Sequence, residues 1–207
     1  MKAIDIYTIW SRTFKKALCS DLKHCYSIVT EQYANPSRHY HNLKHIKDLI
    51  QQIAFLSISN DDKAILINVA LFHDVIYKAG KKDNEHKSAV FANHWLEKLN
   101  FETSRSQLIC DIIRATKTHQ SSNSLTKIFL DMDLSVLGQT KEIYQKYKNQ
   151  IREEHIQIPN YLYKIGRKQF LKKMLSRKVI FNTSEYYGLY ENIARKNLQS
   201  ELNELTK

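Results

Sequence analysis

Only four glycines and two prolines punctuate the 207 residues of this chain. Sharp reversals depend on glycine's conformational freedom and proline's fixed φ, so a chain this poor in both has few places to turn tightly. Strand-rich folds need many such turns, whereas helices joined by a handful of loops need few. The apolar residues agree. Ile6, Ile9, Trp10 and Phe14 repeat at helical spacing, as do Leu22, Cys25, Ile28 and Val29, and the pattern continues almost to the end. The expectation is an all-α chain forming one helical domain over residues 1–207, without internal repeats, low-complexity tracts or linkers.

Finer punctuation places the elements. "NPSRHYH" breaks the chain around Pro36, and a third helix is predicted from about Asn42 to Leu56. "SISNDD" signals a helix start, with Asn60 or Asp61 as cap. The following "KAILINVALFHDVIY" is apolar on nearly every side, as a buried central helix would be. "KAGKKDN" reads as a loop. Further helices are predicted over Glu85–Leu99, Ser104–Thr118, Ser124–Leu137, Lys141–Glu154, Asn160–Arg177 and Ser184–Leu205.

Bulk properties bound the function classes. The length suffices to bury a core without disulfides or a structural metal. Cys19, Cys25 and Cys110 are odd in number and lack C-x-x-C spacing, so they read as free thiols in a reducing cytoplasm. "MKAIDIYTIW" carries Asp5 and lacks the apolar core of a secretory leader. The longest apolar run, Ala64 to Phe72, is short and interrupted by Asn68, so no membrane partner is expected. The formal charge of +11 suits an RNA, DNA or anionic-lipid surface, a field that draws in a phosphorylated small molecule, or simply a lysine-rich exterior. Because the lysines are scattered rather than gathered in a tail, nucleic acid is not the favoured partner.

Three clusters carry chemistry. In "RHYHNLKHI", His41 and His45 fall one turn apart if "NLKHIKDL" opens a helix; both could meet one ion, or one could bind metal while the other faces substrate. The zincin H-E-x-x-H motif is absent, since Asn42 stands where it needs glutamate. His73-Asp74 lies in the most apolar segment, where a buried carboxylate is costly without a compensating charge. In "FLDMDLSVLG", Asp131 and Asp133 are embedded among Phe129, Leu130, Met132, Leu134 and Leu137; a solvent-facing acid is easier to accept for Asp131 than for Asp133. Together the clusters offer imidazoles and carboxylates from separate helices. Such mixed ligands suit Mn, Fe, Ni, Co or Zn, with Mg at a carboxylate-rich site.

The order His, His-Asp, Asp resembles the HD superfamily of metal-dependent phosphohydrolases. "YHNLKHI" is similar to the Tyr-His-Asn-x-x-His segment of cyclic-nucleotide phosphodiesterases. "RHYHNLKHI", "ALFHDVIY", "NEHKSA", "DMDLSVLG" and "ENIARKNLQSEL", in that order, resemble a family of small bacterial proteins described as predicted metal-dependent HD phosphohydrolases. The likeness runs from about Trp10 to Leu202. It implies an HD core at about 35–140, with C-terminal helices at about 141–205 packing on it. It implies a divalent metal held by His45, His73, Asp74 and Asp133, with Asp74 also placed to bridge two ions. His41 would be the proton donor to the leaving oxygen, and Asn42 would help fix its turn. The expected reaction is hydrolysis of a small phosphorylated substrate by a metal-activated water.

The phosphodiesterases' additional metal ligands have no clear equivalents. Glu85, His86 and His119 are the candidates: Glu85 could reach the site through water or a second ion, and His119 would end a helix. Arg114, Arg152, Arg167 and Arg195 are candidate phosphate clamps. Arg167 is favoured because Gly166 beside it would permit close backbone approach. Two other readings remain: a basic nucleotide- or nucleic-acid-binding protein with a structural metal, and a di-iron oxygenase of HD type, for which His86 and His119 would be the additional ligands.

Overall fold

The predicted cap signals and apolar stripes fold into ten α-helices with no strand among the described residues. This computed structural model describes residues 5–206. The leaderless reading of the N-terminus rests partly on residues 1–4, which lie outside them. No helix among the described residues is long and apolar enough to cross a membrane. The chain divides into two compact units, Met1–Ser121 and Ser122–Lys207. The Asp131–Asp133 segment belongs to the second of these units.

The first unit contains α1 (Ile6–Ser11), α2 (Cys19–Tyr33), α3 (Leu43–Phe55), α4 (Asn60–Phe72), α5 (Asn84–Lys98) and α6 (Thr103–Ala115). Its centre is α4, which buries Ile65, Leu66, Asn68, Val69, Ala70, Leu71 and Phe72 and packs against α1, α3, α5 and α6. The start of α4 differs from the expectation: Ser59, not Asn60 or Asp61, is the cap, its hydroxyl accepting from the Asp62 amide at 3.0 Å. The one polar residue in its apolar run is fully used. Asn68 accepts from Trp10 Nε1 at 2.9 Å and donates to Thr13 Oγ1 at 3.0 Å and to the Ala64 carbonyl at 2.8 Å. A satisfied buried amide orients α1 on α4 without the desolvation cost of an orphaned one.

The second unit contains α7 (Ser124–Leu134), a 3-10 turn over Ser135–Gly138, α8 (Lys141–Glu154), α9 (Asn160–Leu175) and α10 (Ser184–Thr206). The 3-10 turn is the hub against which α7, α8 and α10 pack, and α9 lies along α10. Two buried carboxylates hold the loop between α9 and α10. Glu191 accepts from the amides of Ile180 and Phe181. Asp131 accepts from the amides of Asn182 and Thr183 and from both their side chains, at 2.7–3.0 Å. Asp131, the acid more readily placed at the surface from sequence, is therefore fully buried. Its local helix says nothing of the amides that return to it from fifty residues away.

Candidate functional site

The site of the first unit forms where α3 begins and α4 ends. Asn42 is the N-cap of α3: its side-chain oxygen accepts from the Lys44 amide at 2.9 Å, and its amide donates to the His39 carbonyl at 2.8 Å. His41 therefore precedes the helix rather than sharing its face with His45. His45, in the first turn of α3, points inward and is only 7% exposed. α4 stops at Phe72, so His73 is its C-cap and Asp74 lies just beyond in the turn. That placement resolves the angular offset of adjacent helical residues, because the turn swings the Asp74 carboxylate toward the ring beside it.

His45 Nε2 lies 3.3 Å from His73 Nε2, and His73 Nε2 lies 3.1 Å from Asp74 Oδ2. The three ligand atoms fall within 4.8 Å of one another. His73 Nδ1 sits 3.0 Å from the Ala70 carbonyl, which can only accept, so Nδ1 carries the proton of that bond. With Nδ1–H engaged there, an Nε2 that carries no proton turns its lone pair toward Asp74 Oδ2, and a protonated one donates to it. Two acceptors at 3.1 Å repel unless a proton or a cation sits among them. A cation bound at about 2.1 Å holds ligands at octahedral to tetrahedral angles about 3.0–3.4 Å apart, the spacing these pairs have. Two imidazoles and a carboxylate also fit a first-row divalent ion in kind.

His41 flanks this cluster. Its Nε2 is 4.0 Å from Asp74 Oδ2, and its ring stacks on Tyr77 with centroids 4.3 Å apart. Tyr40 lies 5.0 Å from both the His41 and His45 rings. Beyond Asp74, Ser88 ties the Ile76 amide and carbonyl, and Asn84 ties Lys78. The first turns of α5 are thereby fixed to the chain just after the dyad. Glu85 belongs to these turns, and its Oε2 is buried without a hydrogen-bond partner among the described residues. An unsatisfied buried carboxylate oxygen costs about 1–3 kcal/mol, a cost that a ligand or ordered water would remove. Exposed Lys78, Lys81 and Lys82 occupy the loop between α4 and α5.

Other expected residues lie elsewhere. His86 is exposed on α5. His119 takes φ 52° and donates its amide to Ala115 at 2.8 Å, the left-handed turn that closes α6. Asp133 is half-buried on α7 in the second unit. Arg167 is a correction. It is 7% exposed, and its fork is filled by Glu201 at 2.8 and 3.0 Å, with Tyr147 and Phe170 rings against it. Burial pulls its pKa down, but Tyr147 and Glu201 more than offset this and hold it well above its ordinary value. A phosphate would have to displace Glu201 and strand a buried carboxylate. Gly166 faces open space, with nothing near enough to exploit its missing Cβ. Arg195 is likewise engaged, with Glu191 at 2.7 Å, and Arg114 pairs with Asp111 at 3.0 Å.

Sequence reasoning missed Arg38 and Tyr77. The only signal for Arg38 was its place in "RHYHNLKHI", since its partners prove to be backbone carbonyls and aromatic rings. No family model, curated protein or solved structure matches this chain.

Proposed function

We propose that this chain is a metal-dependent phosphohydrolase of the HD type, acting on a small phosphorylated substrate. The observation that carries the reading is the convergence of His45 Nε2, His73 Nε2 and Asp74 Oδ2, with His73 fixed in the ligating tautomer by Ala70. A divalent cation bound there supplies Lewis acidity, which brings the pKa of a water from about 16 toward about 7. The chain's own groups do the rest. His41, beside Asp74 and braced by Tyr77, donates its ring proton to the departing ester oxygen. Glu85, with its unsatisfied oxygen, accepts a hydrogen bond from the attacking water. The lysines after the dyad draw in the anionic ester. Asp133, expected as a ligand on the family resemblance alone, belongs to the second unit.

The test is metal content together with a metal-supplemented screen of phosphate esters and nucleotides. The wild-type protein is expected to hold a divalent ion and to turn over at least one ester. Asp74→Ala is expected to lose the ion and to lower kcat/KM at least ~1000-fold, as expected when both a ligand and charge stabilisation are removed. Asp133→Asn, assayed for metal, decides whether that carboxylate is a ligand. Ion retained with no turnover across the panel would favour a binding protein with a structural metal. Two irons and an air-sensitive absorption band would favour the oxygenase.

A further inference from the structure

Arg38 is only 7% exposed. Burying a guanidinium is costly unless strong acceptors replace water. Here they are carbonyl oxygens: Asp74 O at 2.6 Å, Val75 O at 2.8 Å and His41 O at 3.4 Å. The first two lie just past the end of α4, where unpaired carbonyls and the negative end of the helix dipole favour a cation. The plane of the fork is covered by aromatic rings, Tyr33 at 4.9 Å and Tyr77 at 5.6 Å from its carbon to their centroids.

These contacts draw both sides of the site together. One edge of the fork holds the backbone of Asp74, and the same Nη1 also reaches the backbone of His41. The Tyr77 ring that meets the guanidinium is also the ring on which His41 stacks. Backbone and ring of His41 are thus both referenced to Arg38, and so is the backbone of Asp74, while His73 has its own anchor in Ala70. We propose that Arg38 is a positioning residue: it locks the turn carrying His41 onto the end of α4 and so sets the spacing between His41 and the His45–His73–Asp74 cluster. The inference rests on the hydrolase reading for its catalytic consequence, but its geometric content stands apart. Lysine cannot substitute, because a point charge cannot serve two separated carbonyls and lie flat between rings.

The experiment compares Arg38→Ala and Arg38→Lys with wild type, with and without free guanidinium at tens of millimolar, well below denaturing concentrations. Both variants are expected to fold and to bind metal near wild-type stoichiometry. Each should lose about 10–100-fold in kcat with KM changed less than about threefold, the signature of a displaced group rather than lost binding. Guanidinium should restore kcat saturably in Arg38→Ala and not in Arg38→Lys, whose side chain fills the slot. Independently of turnover, the His41 ring resonance of the metal-free protein should move in Arg38→Ala and return with guanidinium, while that of His155 stays put. An unchanged His41 resonance would overturn the proposal. So would failure of both variants to fold, or guanidinium restoring thermal stability without restoring the resonance; each assigns Arg38 to the scaffold. If wild type neither binds metal nor turns over, the hydrolase reading fails, and the resonance still decides for or against Arg38.

Discussion

Asp131 and Asp133 differ by two positions and by everything that matters to their roles. Asp131 is fully buried and accepts five hydrogen bonds from Asn182 and Thr183, just ahead of α10, whose first-turn dipole favours its charge. Asp131→Ala should cost about 3 kcal/mol, since it takes the charged acceptor from several part-buried donors at about 1–3 kcal/mol each. Urea unfolding measures this, and a loss below about 1 kcal/mol would contradict the capping role. Sequence flagged both acids as anomalous but ranked Asp131 as the more easily exposed of the two, the reverse of what the structure shows, because an amide that returns from position 182 carries no side-chain signature. The same blindness hid Arg38, whose partners are carbonyls. His45, His73 and Asp74 were legible because their chemistry is written in their side chains and in the motifs around them.

At the scale of elements, the helices were legible to within a few residues, since their stripes are long and glycine and proline are scarce. Ends were less so. The C-terminus of α4 falls before the dyad, whereas the apolar pattern runs on through Tyr77 without pause. Two glycines show how context divides identical residues. A Cβ on Gly138, in the 3-10 turn, would come 2.9 Å from the Tyr190 Cα of α10 and closer still to its Cβ. Gly138→Ala should therefore destabilise by about 1–3 kcal/mol through overpacking. Gly166, mid-helix in α9, has nothing within 4 Å, so Gly166→Ala should stabilise by about 0.5–1 kcal/mol by removing backbone freedom from the unfolded chain. Melting temperatures moving in the same direction would refute this account.

At the scale of the whole molecule, buried acids that must stay protonated set an alkaline limit. Burial pushes the Cys25 thiol up to about 12 from its ordinary 9.0, and burial likewise raises the Tyr144 and Tyr186 hydroxyls. Above the ordinary value the unfolded chain releases these protons while the folded chain keeps them, so stability is intact below about pH 9 and falls as pH rises toward the folded values. Each group contributes a slope of at most about 1.4 kcal/mol per pH unit. The urea midpoint should hold steady to about pH 8.5 and decline by about pH 10.5; a level profile across that range would contradict it. One last consequence belongs to His73. Its amide bonds back to Val69 and its ring to Ala70, so the residue that ends α4 is also the one that faces Asp74. Fraying of that last turn and loss of grip at the cluster are then a single event. Anything captured there would act as a clasp on the most deeply buried helix of its unit.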